Sequence, residues 1–293
     1  MTARTGDLTV GGITSTLLRF TLPMMLGSLM QQCYNIADTL IVGRCIGSDA
    51  LAAVGSAYSL MTFLISVLLG LAMGSGTVFS LQFGAGNMSG LRRSIYVSLV
   101  LIGCVTAALT VASFALIDPI LRLLQVPAEI YGMLRLYLLI IFGGIPFTFL
   151  YNFYAALLRA VGDSVTPLWF LGVSVVLNIA LDLLFILGFG MGVGGAALAT
   201  VAAQGVSALG LMVYVLCRRP ELRLRREDMR LDGASVREIA SFSTLTCVQQ
   251  SVMNFGILMV QGLVNTFGTA VMAAFAAAVK IDSFAYMPVQ EFG

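Results

Sequence analysis

Apolar stretches long enough to cross a bilayer recur along the entire chain, at residues 17–42, 50–79, 94–116, 131–154, 167–187, 196–216, 239–264 and 270–292. About 20 apolar residues wound as an α-helix cover the roughly 30 Å of hydrocarbon in a membrane. None of the stretches shows the apolar–polar alternation of a membrane-spanning strand, so helices must satisfy the backbone hydrogen bonds. The pattern predicts an all-α, polytopic helical membrane protein of about eight spans. The second stretch exceeds a bilayer and is expected to end near Gly74, with residues 76–87 returning as a glycine-rich loop.

Composition makes lipid the solvent of this fold. Of 293 residues, 59% are hydrophobic and 10% are charged, whereas a soluble domain carries about a quarter charged residues. The net charge of +2 resides mainly between the apolar stretches and points to no nucleic-acid partner. Histidine is absent, which removes the commonest general base and metal ligand. With no His-Glu-x-x-His motif and Lys280 as the single lysine, an intramembrane hydrolase is not expected, and the chain does not read as an enzyme. Cys33, Cys45, Cys104, Cys217 and Cys247 form no CxxC pair and read as packing residues.

Basic charge separates the connecting segments into two classes. Arg4, Arg92, Arg93, Arg159, Arg218, Arg219, Arg223, Arg225, Arg226, Arg230 and Arg237 fall on one side of the membrane, against Arg44 and Arg122 on the other. The positive-inside rule then places the N-terminus in the cytoplasm and the protein in the cytoplasmic membrane. Residues 218–238 are the longest polar stretch and read as a cytoplasmic connector. It divides a six-helix N-terminal lobe, 1–217, from a partial C-terminal lobe, 239–293, holding two helices. The run Gly47-Ser48-Asp49-Ala50-Leu51-Ala52-Ala53 is echoed by Gly268-Thr269-Ala270-Val271-Met272-Ala273-Ala274. Six spans return a chain to its starting side, so a second lobe would be a parallel, pseudo-symmetric repeat. The chain is accordingly expected to be truncated.

Polar residues within spans carry the candidate chemistry. Gln31, Asn35 and Asp38 share one face of the first helix, at steps of four and three residues. A carboxylate at mid-bilayer costs several kcal/mol, about 3 on insertion scales, so Asp38 is expected to face a cavity and to be functional. Asn178 stacks on Asp182 in the fifth span, and Thr200 on Gln204 in the sixth. Two carboxylates in one desolvated cavity cannot both stay charged cheaply, which suits Asp38 and Asp182 to binding a proton, while the same oxygens suit Na⁺. Asn178, Thr200 and Gln204 read equally well as interhelical hydrogen bonding. Lys280 and Asp282 lie inside the eighth stretch and are candidates for a cavity of the second lobe. Tyr137, Tyr151, Asn152 and Tyr154 in the fourth are candidates for the first. Pro23, Pro146 and Pro288 fall inside spans, where proline permits bending.

An ordered set of motifs resembles the multidrug and toxic compound extrusion (MATE) transporters over essentially the whole chain. It comprises Pro23, Asn35-Ile36-Ala37-Asp38-Thr39, Gly43, Ile46-Gly47 and Ala50-Leu51-Ala52-Ala53, then Gln82-Phe83-Gly84-Ala85-Gly86. It continues with Leu158-Arg159-Ala160-Val161-Gly162-Asp163-Ser164, Pro167, Asn178 to Asp182, and Gly194-Gly195-Ala196-Ala197-Leu198-Ala199-Thr200. The resemblance implies twelve spans in two six-helix lobes, of which the last four are missing here. It implies an antiporter that expels drugs or organic cations in exchange for H⁺ or Na⁺, working as a monomer at full length with no cofactor beyond the coupling ion. Asp38, Asn178, Asp182 and Thr200, with Tyr137 nearby, match the family's cation-coupling cluster. The chain departs from the family in the seventh span: no proline stands near Ser243 to Leu245, and Gln249 or Gln250 replaces the glutamate of some branches. Gln250 joins Gln31, Asn35, Gln204, Lys280 and Asp282 as a candidate for the substrate cavity. The alternative is a flippase for a lipid-linked oligosaccharide or polyprenyl precursor of the same broad superfamily, which needs several cations in its cavity. The spans offer little beyond Lys280 and Arg135, which favours the exporter.

Overall fold

Each apolar stretch folds as a helix in the computed structural model, which describes the backbone of residues 13–292 and the side chains of residues 21–282 apart from Met253 and Lys280. The helices are α1 (Ile13–Cys45), α2 (Ser48–Gly84), α3 (Met88–Leu123), α4 (Ala128–Ala160), α5 (Val165–Leu183), α6 (Gly192–Arg218), α7 (Gly233–Asn265) and α8 (Thr269–Phe292). Among the described residues, α2 to α7 are long and apolar enough to cross a membrane. The first helix is diluted by its own Gln31, Gln32, Asn35 and Asp38, and the described apolar part of α8 is the shorter segment Thr269–Val279. All-α architecture and multiple membrane spans thus follow from the pattern.

One boundary differs. The second helix runs unbroken for 37 residues, about 55 Å at 1.5 Å per residue, so the loop expected at 76–87 shrinks to the turn at 85–87. Its glycines do not break the helix because they serve packing: a Cβ on Gly70 or Gly74 would run into the α7 backbone at Cys247 or Ser243. The turn that does occur uses Gly86 at φ 70°, where only glycine is unstrained. Asn87 then caps α3, its side-chain oxygen accepting from the Gly90 N–H at 3.0 Å and its amide donating to Gln82 Oε1 at 2.9 Å.

Helix α2 is the centre of the bundle, packed between α4 and α7. The chain of contacts continues from α4 to α6, from α6 to α5 and from α5 to α1, while α3 covers α2 and α4 and α8 lies on α1 and α2. The core is aromatic between α2 and α4, where Phe79 meets Phe153 edge to face with centroids 5.9 Å apart. Large apolar side chains on the outside, including Trp169, Val173 and Val176 of α5, face outward in the manner of a lipid-solvated surface.

Polar ties fasten α7 to the rest. Ser75 and Ser243 share a hydrogen bond of 3.2 Å beside the glycine contacts. Nearer the end away from the basic loops lies a buried network. Ser59 donates to Gln261 Oε1 at 3.0 Å, Gln261 donates to Asn265 Oδ1 at 2.8 Å, and Asn265 donates to the Leu124 carbonyl at 2.7 Å. At the basic end the connector is pinned to the start of α3 by Arg92 to Asp228 at 2.6 Å and Arg93 to Asp232 at 2.9 Å. Arg219, following α6, bonds Asp163 of the α4–α5 turn at 2.7 Å. Arg4 lies outside the described residues.

Candidate ion and substrate site

Helices α1, α4, α5 and α6 bring the predicted polar residues together inside the bundle. Asp38 on α1 and Asp182 and Asn178 on α5 are all buried. A membrane helix tolerates such residues when they turn away from lipid, and the four-residue spacing of Asn178 and Asp182 keeps both on the inward face. Immediately after Asp182 the helix widens into a π-helical segment, Leu184–Gly188, a local irregularity that often accompanies functional positions.

A cavity of about 140 Å³ opens beside this group. Gln31 and Tyr34 of α1, Thr148, Tyr151 and Asn152 of α4, Asn178 of α5, and Thr200 and Gln204 of α6 supply most of its polar lining. Thr200 is the junction. Its hydroxyl shares a 3.1 Å hydrogen bond with the Tyr34 hydroxyl and accepts from the Asn178 amide at 3.3 Å. Thr148 donates to Gln204 Oε1 at 2.9 Å, holding that side chain against α4.

The two aspartates sit behind this layer. Asp38 is one turn beyond Tyr34 and Asp182 one turn beyond Asn178, each towards the end away from the basic loops. Asp182 lies within electrostatic reach of Asp38, and Tyr34 and Tyr137 within reach of both carboxylates. Neither carboxylate oxygen of Asp182 has a hydrogen-bond partner among the described residues, and the same holds for Asn178 Oδ1. Among the described residues these three oxygen acceptors therefore go without a protein donor. Carboxylate, amide and hydroxyl oxygens are hard ligands, suited to H⁺ or to a hard cation; among the described residues no cluster has the make-up of a transition-metal site.

The structure gathers Asp38, Asn178, Asp182, Thr200 and Tyr137 in one region, with Gln31 and Gln204 on the adjoining cavity wall. Others lie elsewhere. Asn35 does not line the cavity; its amide donates to Gln32 on its own helix at 3.4 Å. Gln250 belongs to α7, its backbone carbonyl taking the Asn254 amide at 2.9 Å, and Asp282 is exposed. The Lys280 side chain lies outside the described residues. Arg135 is no cavity cation either, because it is paired with Asp118 at 2.8 Å. Tyr34 is the residue that the spacing argument passed over. It stands four before Asp38, on the same helix face, which is the signal that would have found it.

Comparison with known proteins identifies the family. The family described as MatE matches residues 23–184, which include Asp38, Asn178 and Asp182. "Probable multidrug resistance protein YpnP" of Bacillus subtilis is 33% identical over 288 residues, covering 98% of this chain and 64% of the relative. "Probable multidrug resistance protein NorM" of Thermotoga maritima is 30% identical, covering 94% and 60%. The chain thus spans less than two thirds of the length of these relatives. Among solved structures, the outward-facing conformation of a multidrug resistance MATE family transporter of the MOP superfamily has the same fold, with TM-score 0.88 at 24% identity over 99% of this chain and 65% of that one. An inward-facing conformation matches with TM-score 0.83 at 24% identity, over 94% and 63%. With more than half of its residues matched by that family's model and the fold shared with those structures, this chain belongs to the MatE family.

Proposed function

We propose that the chain is the larger part of a cation-coupled exporter of drugs or organic cations, in which α1 to α6 form one lobe and α7 and α8 begin a second. Asp182 carries this reading: a buried carboxylate with no hydrogen-bond donor among the described residues, within electrostatic reach of a second carboxylate and next to a polar cavity. An unpaired buried charge is unfavourable by several kcal/mol, roughly 3–5 where a partner is removed, so arrival of H⁺ or Na⁺ at the pair releases that cost. Asn178 and Thr200 belong both to the cavity wall and to the layer covering the carboxylates. Cation arrival is therefore coupled to the shape of the cavity through the Tyr34–Thr200–Asn178 hydrogen bonds. A ligand shifts a conformational equilibrium only by its difference in affinity for the two states, and this layer supplies the difference.

The basic end faces the cytoplasm in this reading, in keeping with the charge asymmetry of the loops. The relatives named for multidrug resistance support export. A diphosphate-carrying flippase is disfavoured because no arginine or lysine among the described residues lines the cavity.

The test is full-length protein in proteoliposomes, with efflux of a cationic dye measured under an imposed H⁺ gradient and, separately, a Na⁺ gradient. Asp182→Asn and Asp38→Asn are expected to abolish gradient-driven efflux, while Asp182→Glu keeps a measurable fraction. Gradient-driven efflux at the wild-type rate in both asparagine variants refutes the assignment.

A further inference from the structure

The connector between α6 and α7 sorts its charges by direction. Two of its acidic residues, Asp228 and Asp232, turn inward to Arg92 and Arg93 at the start of α3, and Asp228 is buried there, while Glu221 and Glu227 stay exposed. Asp232 is further committed as the cap of α7, accepting from the Ser235 N–H at 2.7 Å and its hydroxyl at 2.9 Å. These pairings turn two acids away from the connector's own arginines and leave Glu221 and Glu227 as the acids on its outer face. Arg225, Arg226 and Arg230 are left exposed. Arg225 reaches only Glu227, at 3.9 Å with both side chains largely in solvent, a pair of little strength. Among the described residues neither the Arg226 nor the Arg230 side chain makes a hydrogen bond or an ion pair.

Two further features set this surface at the level of lipid headgroups. Met229 and Leu231, interleaved with the arginines, are 44% and 58% exposed, which favours an amphipathic boundary over bulk water. Tyr214 lies one helical turn before the end of α6 and meets Phe170 of α5 edge to face, next in sequence to the 72% exposed Trp169. Such aromatics mark the membrane–water boundary. The connector begins about 6 Å of helix rise beyond Tyr214.

We propose that Arg225, Arg226 and Arg230, with Met229 and Leu231, form a binding surface for anionic phospholipid headgroups of the adjoining leaflet. Asp228 and Asp232 act as positioning residues that hold this surface in shape. The guanidinium groups pair with lipid phosphates, and the two apolar side chains reach the acyl boundary. An arginine near an anionic membrane surface contributes about fivefold in binding, so removing three weakens it about a hundredfold.

Full-length protein in nanodiscs tests this, with annular retention of labelled phosphatidylglycerol compared with labelled phosphatidylcholine. Wild type is expected to prefer phosphatidylglycerol, and to lose part of that preference in high salt. The combined Arg225→Gln, Arg226→Gln and Arg230→Gln variant is expected to lose the preference with its thermal unfolding in phosphatidylcholine unchanged, because these side chains make no buried contacts. Lysine at the same positions retains much of it. Arg44→Gln with Arg122→Gln, at the opposite end, leaves it intact. The proposal is overturned if wild type shows no preference, if the triple glutamine variant keeps it, if the opposite-end pair removes it, or if millimolar inorganic phosphate displaces the lipid completely.

Discussion

Replacing Gly70 and Gly74 by alanine probes how α7 is held to α2. Between helices in lipid no hydrophobic force favours association, so close packing of small residues has to supply it. Gly70 and Gly74 of α2 lie four apart, as do Ser243 and Cys247 of α7, and the two pairs bring backbone onto backbone. A Cβ at Gly74 would stand 2.6 Å from the Ser243 nitrogen, and one at Gly70 2.7 Å from the Cys247 nitrogen and 2.9 Å from the Thr246 carbonyl oxygen. Non-bonded heavy atoms prefer about 3.5–4.0 Å, so the helices must part by roughly 1 Å. A side chain could rotate away; backbone cannot. Overpacking costs about 1–3 kcal/mol, against a helix-propensity gain of about 0.8–1.0 kcal/mol for alanine over glycine. Each substitution should therefore destabilise by up to about 2 kcal/mol and loosen the Ser75–Ser243 bond. Gly103 and Gly143 are the controls, since a Cβ at either meets nothing within 4 Å, and alanine there should be neutral or stabilising. Thermal unfolding of the full-length protein in detergent, with spin-label distances between α2 and α7, measures both effects. If Gly70→Ala and Gly74→Ala behave like Gly103→Ala, with the α2–α7 distance unmoved, the packing argument fails.

Gln261→Leu strands the Ser59 hydroxyl in a buried setting and takes from the Asn265 side-chain oxygen one of its two donors, leaving Ser56 at 3.3 Å, and should cost about 1–3 kcal/mol; adding Ser59→Ala should recover part of the lost melting temperature. Asp232 is held down to about 2 by the Ser235 backbone N–H, then by the Ser235 hydroxyl and Arg93. Its unfolded value is about 3.9. A depressed carboxylate stabilises fully above the unfolded value and loses that contribution as pH falls through the folded one, so the first turn of α7 should lose hydrogen-exchange protection between about pH 4 and pH 2. Asp232→Asn should flatten that dependence, and an unchanged acid profile would disprove it.

The spans were legible because lipid imposes one demand on every backbone group, and only sustained apolar runs meet it as helices. The end of α2 was not. Glycine carries two opposed meanings in a membrane helix, a break in the hydrogen-bonded spiral or a place where another helix comes close. At Gly70 and Gly74 the choice depends on what α7 places opposite, 169 to 177 residues later along the chain. The sequence spacing Gly-x-x-x-Gly was available as a sign of contact, and hydropathy alone could not use it. Basic clustering identified the connector, yet the inward turn of Asp228 and Asp232, which leaves Arg225, Arg226 and Arg230 outside, required the position of α3.

The site shows the same division between what cost makes visible and what geometry decides. A carboxylate in a span is expensive enough to be conspicuous, so Asp38 and Asp182 could be paired before their helices were seen together, and four-residue spacing carried Asn178 with them. Tyr34 escaped because tyrosine is cheap at many depths in a membrane, and its presence in a helix declares little. Its meaning comes from Thr200, 166 residues away, which it meets at 3.1 Å. Asn35 had the better claim by residue type, but the inward face of α1 runs through Gln31, Tyr34 and Asp38. Gln250 failed for a different reason. It was chosen by correspondence with a position in other chains, and on α7 it belongs to a face that the described bundle does not close into this cavity. Residue type reveals that a polar group inside a membrane must have a purpose; the helix face it occupies determines which one.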